Sequence, residues 1–191
     1  GGAPAEGGTA GVKVHFIGVG GRAMGGIAIA LAEAGHAVTG SDENLYEPMR
    51  SCLAEAGIRV DPYDPRMLPM DADAVVVGRR VMRDNPQLRH AVARGLPCHT
   101  FPAFLRSHFL HQSRNAVVAG GVGKTTTTAL LTWILERTGL EPDYLIGGIA
   151  RGLRAPARLR GAGIAVVEGD EYASGIDDSS PKFLHYAPEV V

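Results

Sequence analysis

The segment Gly120-Gly121-Val122-Gly123-Lys124-Thr125-Thr126 constrains this chain most. It follows an apolar run, Ala116 to Ala119, and opens a long helical stretch. A strand, a glycine loop, Lys-Thr and then a helix is an arrangement that grips nucleotide phosphates. The glycines let backbone N–H groups close around an anion, the helix N-terminus adds positive potential, and Lys124 supplies a full charge. The hydroxyl of Thr125 is placed for a magnesium ion. The complete motif has a glycine five residues before Gly123, where Val118 stands, so this is a shortened variant. The competing reading is a glycine turn with a surface lysine.

A second glycine loop lies about a hundred residues earlier. Gly18-Val19-Gly20-Gly21-Arg22-Ala23, followed by Met24, fits G-x-G-x-x-G/A between a strand and a helix. Ser41 and Asp42 end the next strand, where an acidic group can meet a ribose hydroxyl. The pattern admits a nucleotide diphosphate, NAD included, or a turn that merely packs helix on strand. Two anion cradles in one chain suggest two nucleotides brought together.

Around these loops strands and helices alternate, which predicts α/β architecture with a parallel sheet. Strands are expected at Val12–Gly18, Ala37–Gly40, Ile58–Val60, Ala74–Val77, Leu96–His99, Tyr144–Ile146 and Ile164–Val167. Helices are expected around Met24–Leu31, after Pro48, from Pro86 with Leu88, Ala91 and Val92 on one face, and over Lys124–Thr138. The sequence divides into a flexible tail (1–11), a Rossmann-like domain (12–110), a linker (111–114) and a P-loop-type α/β domain (115–191) left incomplete. Arg151 to Arg160 is expected to be a solvated basic loop. The net charge of −1 gives no reason to expect nucleic acid or an anionic membrane as partner. No apolar run approaches the ~20 residues of a membrane span. Cys52 and Cys98 form no metal spacing and suit a reduced, cytoplasmic pair.

Three acids in Glu168-Gly169-Asp170-Glu171 follow the buried strand Ile164–Val167. Ligands bind beyond the carboxyl ends of parallel strands, so Glu168, the first acid there, is the candidate second magnesium ligand beside Thr125. Asp170 and Glu171 are expected to be solvated or bound to nearby backbone. His15 falls inside a strand and reads as structural, and His185 reads as packing.

From Lys13 onward these residues resemble the ATP-dependent Mur ligases of peptidoglycan synthesis. His15-Phe16-Ile17-Gly18-Val19-Gly20-Gly21 with Met24-Gly25-Gly26-Ile27-Ala28 is similar to the UDP-sugar loop of the branches that use UDP-N-acetylmuramate. Thr39-Gly40-Ser41-Asp42, Tyr46-Glu47-Pro48-Met49, Ile146-Gly147-Gly148 and Lys182-Phe183-Leu184-His185-Tyr186 resemble the branch that ligates the murein tripeptide L-Ala-γ-D-Glu-meso-diaminopimelate. The chain departs from the family at Gly121-Val122 (Thr-His), at Arg79-Arg80 (Asn-Ala) and at Ala173 (Asp).

The resemblance implies Lys124 and Glu168 as catalytic residues, and ATP in the loop Gly120, Gly121, Val122, Gly123, Lys124, Thr125 and Thr126. It implies Mg2+ on Thr125 and Glu168, and the UDP-sugar on Gly18 to Met24 with Ser41 and Asp42. Rival readings are an alanine-adding ligase of the same family, a non-catalytic nucleotide-binding homologue suggested by Gly121, Val122 and Ala173, and an NAD-dependent oxidoreductase.

Overall fold

The computed structural model describes residues 11–148, 153, 155–170 and 180–191. The expected tail lies outside these residues except for Gly11, as do Glu171 to Ala173. The described residues form two sheets, joined through one continuous apolar cluster.

The first sheet is built from β1 (Lys13–Ile17), α1 (Arg22–Glu33), β2 (Ala37–Ser41), α2 (Met49–Glu55), β3 (Arg59–Asp61), β4 (Ala74–Val77), α3 (Pro86–Ala93), β5 (Cys98–Thr100) and α4 (Phe101–Leu105). Its strands run parallel in the order β3-β2-β1-β4-β5. Neighbours to both sides of β1 make it central, and the chain's direction of winding reverses between β1 and β4. That switch point is where an open parallel sheet leaves a crevice.

Helix α1 is buried without a break from Met24 to Leu31 because it is covered on more than one side. A Cβ on Gly25 would collide with Met49 of α2, and one on Gly26 would come within 3.1 Å of Pro156 in the second unit. The Gly25-Gly26 pair therefore serves close packing of the helix rather than anion contact. Helix α3 departs from its expected face. Ala91 is buried as expected, but Val92 is exposed and Gln87 is buried in its place. Asn85 caps the helix through the N–H groups of Gln87 and Leu88, and the Gln87 amide donates to Asp64 O, so a polar residue holds the inward position.

Burial also fixes His15, which is 1% exposed and has Nδ1 2.8 Å from the Thr39 hydroxyl. Burial pushes its pKa down to about 4, opposed only in part by Gln87 and Asp61. The unfolded chain takes up this proton near pH 6.5, the folded chain only near 4. Stability is therefore full above the unfolded pKa and falls as pH drops through this window. We expect a loss of about 2 kcal/mol between pH 7 and pH 5, read from urea midpoints. His15→Gln should flatten that part of the profile; an unchanged slope would remove His15 as its source.

The second sheet contains β6 (Arg114–Val118), α5 (Lys124–Arg137), β7 (Asp143–Leu145), β8 (Ala157–Arg158) and β9 (Ile164–Glu168), followed by α6 (Lys182–His185). The order is β6-β9-β7-β8, with β8 alone antiparallel. A parallel bridge from Ala116 to Val190 brings the apolar end of the chain alongside β6. The expected solvated loop contains β8, and Arg158 is not solvated. Its guanidinium donates to Pro142 O and Glu136 and lies over the Tyr144 ring, leaving its side chain 19% exposed. Asp143, nearly fully buried, accepts from the N–H groups of Arg160, Gly161 and Ala162, and so fixes the turn between β8 and β9.

Candidate functional site

The first glycine loop leaves β1 with Gly18 at φ 85°, in the left-handed region open to glycine. The N–H groups of Gly18 and Val19 both donate to Ser41 O, which ties the loop to the end of β2. Gly20 N–H donates to Asp42 Oδ2 at 2.8 Å, and Asn44 N–H donates to Asp42 Oδ1 at 3.0 Å. A Cβ on Gly20 would sit 2.8 Å from that carboxylate oxygen, so the approach requires glycine. Both oxygens of Asp42 are thus engaged by backbone, and the residue anchors the loop at the mouth of the crevice.

Around this loop opens a cleft of about 640 Å³. Of the residues expected to hold the UDP-sugar, Gly18, Gly20, Gly21, Arg22, Ala23, Met24 and Asp42 line it. Val19 and Ser41 do not. Both are fully buried, Val19 packs toward Gly40, and Ser41 contributes its carbonyl rather than its hydroxyl.

The cleft also has walls outside the glycine-loop motif: Tyr46, Tyr63, Arg79, Arg80, Phe101 and Lys182. The two arginines follow β4, and the rule that ligands sit beyond strand ends at a switch point could have found them. Lys182 comes from α6 of the second unit, a placement no local pattern encodes. Partial burial, with Asp42 and Glu43 nearby, pushes the Tyr63 hydroxyl up to about 12, so it stays a hydrogen-bond donor at neutral pH. With Arg22, the arginines and Lys182 give the cleft four cationic groups facing Asp42 and Glu43.

The second loop turns through Gly120 at φ 138° and Gly123 at φ 83°, and α5 begins at Lys124. Gly121 and Val122 stand clear of the protein, Val122 being 98% exposed. Lys124 Nζ donates to Gly120 O at 2.7 Å, which folds the ammonium back over its own loop. Thr126 is exposed beside it. The threonine run divides in two: Thr128 is buried and bonds back to Lys124 O, so its role is within the helix.

Thr125 and Glu168 meet directly. The Thr125 hydroxyl donates to Glu168 Oε1 at 2.9 Å, and Gly147 N–H donates to Oε2 at 2.6 Å. A Cβ on Gly147 would lie 2.9 Å from the carboxylate, which accounts for glycine there. A hydroxyl and a carboxylate at one point, beside a phosphate-type loop, form the hard-oxygen donor set that suits Mg2+. Asp170 is paired rather than solvated, its Oδ2 lying 3.3 Å from Lys182 Nζ. His185 sits away from the loop, with Nε2 2.8 Å from the Ser180 hydroxyl. Among the described residues no helix is long and apolar enough to cross a membrane.

Comparison with known proteins adds the following. Residues 13–113 match the family described as "Mur ligase family, catalytic domain". The chain is 40% identical over 179 residues to the UDP-N-acetylmuramate--L-alanyl-gamma-D-glutamyl-meso-2,6-diaminoheptandioate ligase of Haemophilus influenzae, covering 93% of this chain and 40% of that protein. It is 37% identical to the UDP-N-acetylmuramate--L-alanine ligase of a Nocardioides strain, covering 92% of this chain and 37% of that one. A crystal structure of the UDP-N-acetylmuramate:L-alanyl-gamma-D-glutamyl-meso-diaminopimelate ligase from Neisseria meningitides superposes with a TM-score of 0.87 at 36% identity, over 95% of this chain and 59% of the other. The chain thus spans about 40% of the length of the curated relatives it matches.

Proposed function

Because the chain belongs to the Mur ligase family, we propose that it forms the nucleotide-binding part of an ATP-dependent ligase. The reaction joins the murein tripeptide L-Ala-γ-D-Glu-meso-diaminopimelate to UDP-N-acetylmuramate, in the cytoplasm. The observation that carries this reading is the pairing of two cradles: a basic crevice at the switch point of one parallel sheet and, on the adjoining sheet, a Lys-Thr loop with Glu168 bonded to Thr125. The tripeptide is favoured over L-alanine by the superposition on the solved tripeptide ligase, at a TM-score of 0.87 against 0.73 for the solved alanine ligase of Thermotoga maritima.

In this reading the muramoyl carboxylate attacks the γ-phosphorus of ATP, and ADP leaves with the electron pair of the broken P–O bond. The peptide amine then adds to the acyl phosphate, loses a proton and expels inorganic phosphate. A carboxylate is a poor nucleophile toward a polyanion, so neutralising charge is the main task of the protein. Lys124 sits on the loop that would hold the β- and γ-phosphates, and the loop N–H groups and the start of α5 complement the same charge. Thr125 and Glu168 would hold Mg2+, which when bound supplies further positive charge to the phosphates. Gly147 N–H orients the Glu168 carboxylate. Arg22, Arg79 and Arg80 line the cleft that would receive the UDP-sugar.

The test is calorimetry of the chain with UDP-N-acetylmuramate and with ATP, each with and without Mg2+. It is paired with amide formation by protein carrying the complete family length, given tripeptide or L-alanine. Both nucleotides should bind, and turnover should require the tripeptide. Glu168→Gln should cut the Mg2+-dependent gain in ATP affinity by about tenfold, as expected for losing one charged ligand contact. An unchanged Mg2+ dependence would remove Glu168 from the site, and turnover with L-alanine alone would reassign the substrate.

A further inference from the structure

Lys182 belongs by sequence to the second unit, yet it lines the cleft of the first. Its side chain is only 13% exposed. The ammonium lies 5.9 Å from the centroid of the Phe101 ring, which starts α4, and 3.3 Å from Asp170 Oδ2. Asp170 stands two residues beyond Glu168, the carboxylate bonded to the Thr125 hydroxyl. Between the two, the Gly169 N–H donates to Val118 O, and a Cβ at Gly169 would sit 2.8 Å from both Val117 and Phe183. The strand end carrying both carboxylates is therefore held against β6 and α6 with no room for a side chain.

We propose that Lys182 contacts the anionic part of the ligand in the first cleft, and that its exchange between this anion and Asp170 couples the two cradles. This deepens the reading given above and rests on it. A 3.3 Å contact is long for a charged pair, and the lysine stem is packed along the cleft wall, so a small rotation suffices to change partner. The arriving anion gains a cation that the second unit supplies. Asp170 then loses its counter-charge two residues from the magnesium-type pair, and gains from a cation placed there. Each ligand must accordingly favour the binding of the other by the same factor, because coupling between sites is reciprocal. Lys182 is a positioning residue in this scheme: it acts on the ligand's placement and not on the reacting bond.

Calorimetric titration of the 191-residue chain with UDP-N-acetylmuramate tests this directly. Lys182→Met should weaken binding by about tenfold or more, the size of one charged hydrogen bond, while Lys182→Arg retains most of it. Asp170→Asn, which removes the competing carboxylate, should tighten binding. In wild type, saturating ATP·Mg should raise UDP-N-acetylmuramate affinity; Lys182→Met should abolish that gain and, because it leaves Asp170 without its counter-charge, should bind ATP·Mg alone more tightly than wild type. A Lys182→Met protein with wild-type thermal stability and affinity within twofold would overturn the proposal. So would equal loss in Lys182→Met and Lys182→Arg, which points to packing. Failure of wild type itself to bind UDP-N-acetylmuramate would instead overturn the reading of the cleft, and this proposal with it.

Discussion

Lys124→Ala is expected to weaken ATP·Mg binding at least a hundredfold and to leave UDP-N-acetylmuramate binding within twofold of wild type. The lysine stands at the first position of α5, with its ammonium over the glycine loop. Two charged contacts to phosphate oxygens, at about 1.5 kcal/mol each as a minimum, give roughly 3 kcal/mol, or about two decades of affinity. Lys124 does not line the first cleft, so no direct term reaches the other ligand. Lys124→Arg restores charge with a different shape and should recover only part of the binding. Separate titrations with the two nucleotides decide the matter: equal loss of both would make the lysine a structural prop. Preserved ATP binding would move the triphosphate to another place.

Asp143→Ala should be the most damaging single change to stability, lowering it by about 3–4 kcal/mol. The carboxylate accepts three backbone N–H groups, at 2.6, 2.8 and 3.1 Å. Hydrogen bonds to a charged acceptor contribute about 1.5–3 kcal/mol each, and the exposed residues that donate them recover part of this from water. Asp143→Asn keeps an acceptor and should lose about half as much. The damage should also reach the ATP cradle, because β7 leads directly through Ile146 into Gly147, whose N–H holds Glu168. Urea denaturation measures the first effect and Mg2+-dependent ATP affinity the second. A loss below about 1 kcal/mol would show that water replaces the carboxylate fully.

Much of this architecture is legible in the sequence because its signals are local. Short apolar runs alternate with helical spacing, Gly35, Gly57, Gly95 and Gly139 follow helices in left-handed conformations, and both glycine loops fall between strand and helix. What is missed depends on distant partners. Helix α3 turns Gln87 inward because Asp64 O lies 23 residues away to receive it, while Val92, apolar by type, is left outside. Strand β8 is two residues long and hidden in a basic stretch whose Arg158 is neutralised by Glu136 across the fold. The candidate site divides the same way. Thr125 and Glu168 are readable from motif and strand end, but their separation of 43 positions conceals their contact. Val19 and Ser41 fit a motif by position, yet burial takes them out of the cleft.

The Gly20–Asp42 contact has a consequence for how quickly and tightly the first cleft can be filled. A glycine-rich loop has much backbone freedom to surrender on binding. Here the carboxylate clamps it in advance, so the ordering entropy is absorbed during folding and does not subtract from affinity. The clamp also turns one N–H inward as a permanent internal contact, leaving the ligand to be met by the neighbouring loop groups and the arginines. The cleft thus behaves as a rigid receptor for a flexible, multiply charged molecule.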